Sequence, residues 1–519
     1  MSYFVAGILR IIILEASAAL LIMSRLVRSD DSRGQRRLDL AFRVVAVLAL
    51  FSWTNFGALR GDAGLVHRWE QYHFFFGSKY LPELGYFNLY KATFLADRQT
   101  AHQLGYIQRT RDLTTFDEVP VETAMRDAAE VRARFSDARW AEFSADWQTL
   151  ARDPANWRHI MADHGNSGSP AWAILAAPIA RLVGIGPTGQ RLMGLVDPLL
   201  MVVLLIFAMS TFGTRPGCVL VIIWSMLPFC FDMLAGSLLR WDWLFALGMC
   251  LCFWRRGKPL TAGAFLGYAV ASKLFPLFFG VGLGLHAAFR LVRTHRLDRR
   301  LVRFTAGAAL ALLLSVVISS AMFGGLGVWR GYRQRIQVAQ NEKYYPNQYS
   351  FRTVFLQWFE SSPREIWYGW MAPADIKQAR ADVDLARRRV PFAIGQLALT
   401  ALVAAALATT DELEALAIGP LLVYIWLMVN AYYWNMLALT AMVWTVRERE
   451  GQPRLLPLVG LHALLIWFYV YQHLSHGFSE GYLVGLLLCG LCLAWGLTLV
   501  GSHWQRRRRA AALAPSPIR

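Results

Sequence analysis

The sequence predicts an all-α, polytopic membrane protein with about 12–14 transmembrane helices and a large helical outer loop. Three observations carry that expectation. First, 56% of the 519 residues are apolar and only 17% charged, with a mean hydropathy of +0.35, which excludes a disordered chain and an ordinary water-soluble enzyme. Second, apolar runs of about 20 residues, the length that crosses a bilayer as a helix, recur along most of the chain. Third, Arg clusters separate those runs, as they do in cytoplasmic loops. A net charge of +18 would also suit nucleic acid, but the cations stand in short groups beside apolar segments. Their task there is to hold loops on one side of a membrane, and nucleic acid is not an expected partner.

In chain order, residues 1–58 hold two apolar segments, 4–23 and 39–58. The first is followed by SRLVRSDDSRGQRR, a basic flank on the wrong side for a cleavable signal, so it is expected to stay as a helix. Residues 59–168 are too many for a connector and have helical patterning of their own. Trp140, Phe143, Trp147 and Leu150 recur at helical spacing, Pro120 suits a first turn and Asp153-Pro154 a stop. An amphipathic helix on the membrane or against the bundle is predicted. This loop carries 13 Lys/Arg against 15 Asp/Glu, net −2, which leaves +20 for the other regions and places the loop outside.

Residues 169–323 form a central bundle. Its segment 169–186, with Pro170, Pro178, Gly184 and Gly186 before Pro187, reads as a re-entrant or broken helix. Residues 324–390 are a second outer loop, 391–502 a C-terminal bundle and 503–519 a basic cytoplasmic tail. The apolar runs 260–289 and 416–446 are each long enough for two short helices. Cys218, Cys230, Cys250, Cys252, Cys489 and Cys492 all fall in or at the ends of apolar segments, where small buried hydrophobes are expected rather than disulfides or a metal site.

The densest polar and aromatic stretch, RGDAGLVHRWEQYHFFFGSKYLPELGYFNLY, follows the second span. It sets Asp62 and Glu70 at the outer boundary beside His67, His73 and Lys79. A carboxylate held among imidazoles and rings suits a general base for a sugar hydroxyl. A solvated interfacial helix is the plainer alternative, and a metal site from His67, Glu70 and His73 lacks the i, i+4 pair that a helix offers best. Lys273, within GAFLGYAVASKLFPLFFGVGLG, would be costly facing lipid. It should face a cavity or a carboxylate such as Asp197 or Asp242, and with a turn at Pro276 it reaches the outer side, where it can bind a lipid phosphate. Arg240, in SLLRWDW, lies at an outer helix junction as a phosphate neutraliser or as half of an Arg–Asp anchor.

A later outer stretch, GYRQRIQVAQNEKYYPNQYSFRTVF, gathers Arg333, Arg335, Lys343, Tyr345, Asn347 and Gln348. Cations, rings and amides together suit a phosphate-sugar ligand, and equally an interfacial Tyr belt. His473 and His476 face the same side without a defined role. The chain has no GxxxxGK[ST] loop, no GxGxxG after a strand and no GxSxG elbow, so nucleotide chemistry of its own is not expected; a donor already attached to lipid fits.

On these residues the chain resembles the GT-C superfamily of integral-membrane glycosyltransferases and, within it, the family of polyprenyl-phosphate-mannose-dependent α-mannosyltransferases. The likeness is carried by Glu70, Tyr72, Gly85, Leu89 and Tyr90 in that order after an early span, by Lys273 and Pro276 in ASKLFPLFF, and by NQYS at Asn347–Ser350. It implies a GT-C-like fold in a bacterial inner membrane. The implied reaction moves a sugar, mannose by this likeness, from a polyprenyl-phosphate donor to a lipid or envelope-glycan acceptor on the outer face, by direct displacement with inversion. Glu70 would be the base; the family acid is an Asp, so Asp62 is the second candidate. Lys273 with Arg240, Arg333 and Arg335 would hold the departing phosphate, and His73, Lys79, Tyr345, Asn347 and Gln348 would line the substrate site. No cofactor is called for, and dependence on a divalent metal stays open. The extra N-terminal segment with Arg10 and Glu15, and the length of the first loop, depart from the family layout. A transporter or flippase of lipid-linked substrates, or a scaffold for envelope assembly, would share the spans without the chemistry.

Overall fold

The computed structural model describes residues 3–28, 30–152, 155–227, 230–341, 348–356, 382–474 and 480–512. The chain is mostly helical, 76% helix and 2% strand. The helices used below are α1 (Tyr3–Leu26), α2 (Ser32–Trp53), α3 (Arg68–Gln71), α4 (Leu89–Gln99), α5 (Asp137–Ala151), α6 (Pro170–Val183), α7 (Pro187–Phe212), α8 (Thr214–Met226), α9 (Asp242–Arg255), α10 (Pro259–Ser272), α11 (Leu277–Thr294), α12 (Arg299–Met322), α13 (Gly327–Asn341), α14 (Arg389–Leu407), α15 (Glu412–Ala417), α16 (Gly419–Trp426), α17 (Leu437–Arg449), α18 (Leu455–Leu474) and α19 (Glu480–Ala512).

Five described helices are long and apolar enough to cross a membrane: Phe4–Leu26, Pro187–Phe212, Arg299–Met322, Arg389–Leu407 and Val484–Trp504. Their outward faces stay apolar, with Leu199, Ile206, Leu313, Val317, Ile394 and Leu397 all exposed. Such a surface is stable only against lipid or another protein, and the architecture is that of an α-helical membrane protein. Of the other helices α2 has 22 residues and α18 20, and shorter ones pack inside the bundle. α8, for example, is 13 residues long with nearly every side chain buried.

One end of the bundle gathers the basic turns. There Arg25 meets Glu448, Arg255 reaches Glu450 at 2.8 Å, and Arg290 reaches Glu412 at 2.6 Å. At the other end the turns after α2, before α9 and before α17 meet residues 59–168. The two ends enclose a large core running from Ile13 to Leu499, whereas residues 72–161 build a second, aromatic core with α6. The long apolar runs divide at these ends. Residues 260–289 break at Lys273 between α10 and α11, and 416–446 becomes α15 and α16, a strand at Val429–Asn430, then α17. Gly263, Gly267 and Gly307 let α10 and α12 touch backbone to backbone. A Cβ at Gly263 would lie 1.8 Å from the Phe304 carbonyl oxygen and one at Gly307 2.0 Å from that of Leu260, the small-residue contact typical of helices packed in lipid.

The loop domain supplies most of the second core. Ser136 caps α5, accepting from the Arg139 amide at 3.3 Å, and Trp140, Phe143, Trp147 and Leu150 are buried. The predicted amphipathic stripe therefore does not lie on a membrane. It closes over Tyr72, Phe76 and Tyr80, with Phe76 and Phe143 centroids 5.2 Å apart, because the loop holds enough aromatic mass for a core of its own. α6 joins the same core through Trp172, Ala173, Ala176 and Ala180. Near its start Trp172 Nε1 donates to the Leu239 carbonyl at 2.8 Å, and beyond its end the Gln190 carbonyl, one turn into α7, accepts from Gln71 Nε2 at 2.7 Å. α6 is a single 14-residue helix with Pro178 inside it. Cys218, Cys250, Cys252 and Cys492 are buried free thiols and Cys489 is half-buried.

Candidate active site

The candidate site lies where the loop domain is welded to the bundle. The weld is a backbone contact: the His67 amide donates to the Gly236 carbonyl at 2.9 Å, and Gln71 Nε2 donates to the carbonyls of Gln190 and Gly236, both at 2.7 Å. Gly236 sits at φ +87, and a Cβ there would lie 2.8 Å from Leu65. Only glycine gives both that backbone and that approach. Arg60 adds three bonds, to the carbonyls of Phe231, Asp232 and Ala235 at 2.8, 2.7 and 3.0 Å.

On this weld α3 and the π-helical turn Tyr72–Phe76 carry Glu70 and His73 inward. His67 is the N-cap of α3, its Nδ1 accepting from the Glu70 amide at 3.5 Å. Glu70 Oε2 lies 2.7 Å from Arg240 Nε, yet neither atom makes a well-directed hydrogen bond. Arg240 is buried, its guanidinium 4.1 Å above Phe74 and 5.8 Å from the Tyr432 ring. Asp197, in the middle of α7, fixes the turn that presents Arg240: its carboxylate accepts from the amides of Arg240 and Trp241 at 2.8 and 2.9 Å. Lys273 closes α10, donating to the Ser167 carbonyl at 3.2 Å and standing 5.9 Å from the Tyr433 ring. Asp242 accepts from Tyr268 at 2.9 Å and Ser272 at 2.6 Å through one oxygen, while its Oδ1 is buried without a partner. Glu70 feels Arg240, Asp163, Lys273 and Arg60.

Burial pushes the Glu70 carboxyl above the usual carboxylate range against the opposing pull of Arg240, the condition under which a carboxyl works as a base near neutrality. Burial and the Arg60 charge push His67 down to about 3, so its ring is neutral. Burial also lowers His73, whose Nδ1 meets the Trp69 carbonyl at 3.0 Å and whose Nε2 meets the Tyr90 hydroxyl at 2.9 Å. His73 is thus engaged in holding α3. Burial raises Asp163, but hydrogen bonds from His164 and Trp69 and the adjoining His73 outweigh it and hold that carboxyl low. Among the described residues no group of three His, Cys, Asp or Glu is gathered to hold a metal ion.

The structure brings Glu70, Arg240 and Lys273 to one site. Arg335 of α13 is buried at the loop domain, donating to the His164 carbonyl at 2.8 Å with its guanidinium 4.4 Å from Phe116, and its charge reaches Lys273. Lys79 is placed elsewhere, 2.9 Å from Glu142 and 2.6 Å from Asp146 under α5, and Arg333 is exposed. Gln348 opens a two-residue strand paired with Asn430, its Oε1 buried without a partner. Asp62 lies in the turn Gly61–Ala63; its side chain, Lys343, Tyr345, Asn347, His476 and the His473 side chain fall outside the described residues. Four contributors escaped the sequence reading: Asp197 as the holder of Arg240, Asp163 behind α3, and Tyr432 and Tyr433 facing the cations. A lone Asp in the apolar helix α7 was the available signal for the first.

No family model, curated protein or solved structure matches this chain. Function has to come from the site itself.

Proposed function

We propose that the protein is a membrane glycosyltransferase of the bacterial inner membrane that transfers a sugar, mannose being the first to try, from a polyprenyl phosphate to a lipid or envelope-glycan acceptor. The observation that supports this most is the Glu70–Arg240 pair: a largely buried acid whose buried cationic partner is poorly directed, with the charge of Lys273 acting on it and aromatic rings around the guanidinium. A donor phosphate is a better partner for Arg240 than Glu70 is, because it offers several acceptor oxygens to the guanidinium fork. Donor binding then draws Arg240 off Glu70 and leaves the carboxylate free. Glu70 takes the proton of the acceptor hydroxyl as that oxygen bonds to the anomeric carbon. The bond from that carbon to the phosphate oxygen breaks with its electron pair on the phosphate, and Arg240 and Lys273 hold the added charge. The configuration inverts. Asp197 and the weld at Gly236 keep the two sides of the pair in register.

The test is transfer by the purified protein in nanodiscs, with a panel of polyprenyl-phosphate sugars and lipid extract as acceptor, Glu70→Gln and Asp62→Asn beside wild type. Release of polyprenyl phosphate that Glu70→Gln abolishes is the expected result. An active Glu70→Gln with an inactive Asp62→Asn moves the base to Asp62. Movement of the donor between leaflets without turnover replaces the enzyme with a flippase.

A further inference from the structure

α1 and α2 are antiparallel neighbours. Near one end of the pair Arg10 donates to the Ser52 hydroxyl and to Asn55 Oδ1 at 3.2 and 2.9 Å, and near the other Gln35 Nε2 donates to the Val27 carbonyl at 3.3 Å. Other polar side chains of the two helices are also settled: Ser17 Oγ lies 2.9 Å from His462 Nε2 inside the bundle, and Asp39 accepts from Arg215 at 2.5 Å. Glu15 and Arg43 are not. Both are exposed, and neither has a hydrogen bond or an ion pair among the described residues.

Glu15 is the midpoint of the span Phe4–Leu26, about 16 Å from either end at the rise of an α-helix. A charge that faces hydrocarbon at that depth is costly. Around it the outward face of α1 reads Ile8, Ile12, Glu15 and Ala19, and that of α2 reads Leu40, Arg43 and Val47, all of them exposed. The steps alternate between four and three residues, the spacing of a seam that one helix offers to another. The contacts of Arg10 and Gln35 fix how α1 and α2 slide past each other, and they set Glu15 and Arg43 within about one turn in depth. The two helices therefore present to lipid one acid and one cation, each in an apolar row and at nearly the same level.

We propose that this face is where two copies of the chain meet, as a dimer in which Glu15 of each copy pairs with Arg43 of the other. Copies inserted in the same direction are related by a two-fold axis along the membrane normal, which keeps every residue at its own depth and makes each contact reciprocal. A surface with one acid and one cation at nearly one level is complementary to itself under that axis. Both charges leave lipid together, and the small side chain of Ala19 beside Glu15 lets the second backbone come close. Nothing in the glycosyltransferase reading uses this face.

Energy transfer between separately labelled copies of the full chain in liposomes, followed as added lipid dilutes them, tests it. Wild type is expected to associate, and Glu15→Arg and Arg43→Glu each to weaken self-association by about tenfold or more. Mixed together, those two variants should associate as wild type does, because each supplies the charge that the other lacks; misfolded chains do not give that result. Glu15→Leu removes no contact within the chain and should weaken association while leaving the thermal unfolding midpoint unchanged. A wild type that stays monomeric overturns the proposal and leaves the face to lipid or to another protein. Single variants that associate like wild type overturn it as well. A mixture that associates no better than its components, with the combined Glu15→Arg and Arg43→Glu chain behaving as wild type, overturns it in favour of a pair formed within one chain.

Discussion

An acid–arginine pair stands at each end of this protein, Glu414–Arg454 and Glu70–Arg240, and the two are built oppositely. At the basic end Glu414 is fully satisfied: Arg454 donates through Nε and Nη2 at 2.6 and 2.7 Å, Trp495 Nε1 at 2.9 Å and Thr410 at 2.7 Å. At the loop end Glu70 has one contact to Arg240, at 2.7 Å and off the hydrogen-bonding direction. Both arginines are buried and both acids largely withdrawn from water, so both pairs carry a desolvation cost that only good geometry offsets. The Glu414 pair offsets it within the fold and holds α15 to α18 and α19. The Glu70 pair does not, and a group that completes it is a ligand. Burial of charge alone would have marked both; the count of satisfied oxygens separates a structural pair from a site.

That contrast can be broken in several places. The largest effect is expected from Glu70→Gln, which should lower transfer by about 10²–10⁴-fold while leaving the thermal unfolding midpoint near wild type; a loss of folding with it would make the pair structural. Glu414→Gln should do the reverse, leaving Arg454 buried beside a neutral partner and destabilising the protein by about 3–5 kcal/mol, seen in thermal unfolding in nanodiscs, with turnover per folded molecule unchanged. Asp197→Asn loosens the turn that aims Arg240 and should reduce transfer by about 10–100-fold. Because Asp197 positions Arg240 and touches no substrate, the KM for donor should rise along with the fall in kcat.

Acid dependence sharpens the comparison further. Glu70 must be ionised to act, so transfer falls as pH drops through its raised pKa. Arg240 pulls that pKa down; Arg240→Gln therefore lets it rise, and the acid limb of the residual activity should move to higher pH. A limb that stays in place, or moves down, separates Arg240 from the base. The smallest effect is expected from Arg333→Gln: an exposed cation outside the cluster should leave transfer within about twofold.

Much of this was legible in the residues. Lys273 was singled out because a cation in an apolar segment needs a reason to be there, and Arg240 because it stands at a helix junction in SLLRWDW; the charges of both act on Glu70. Pro276 and the length of 260–289 marked the break beside which Lys273 leaves α10. What was not legible depends on contacts distant in sequence. Asp197 reads as a partner for a cation, and only the fold shows it binding the amides of residues 240 and 241. Lys79 reads as part of the same polar stretch as Glu70, yet the turns between them send it under α5 to Glu142 and Asp146. The Trp140 to Leu150 stripe has the period of a surface helix, and nothing in a period says whether its apolar face meets lipid or Tyr72 and Phe76 of its own domain.

The most direct test of the central claim measures binding and turnover on the same sample: polyprenyl phosphate titrated into wild type, Glu70→Gln and Arg240→Gln in nanodiscs, followed by a transfer assay. If Glu70 competes with a phosphate for Arg240, Glu70→Gln binds polyprenyl phosphate at least as tightly as wild type while its transfer is lost, and Arg240→Gln binds it more weakly. Glu70→Gln that loses binding together with turnover, or that binds and turns over like wild type, would contradict the account.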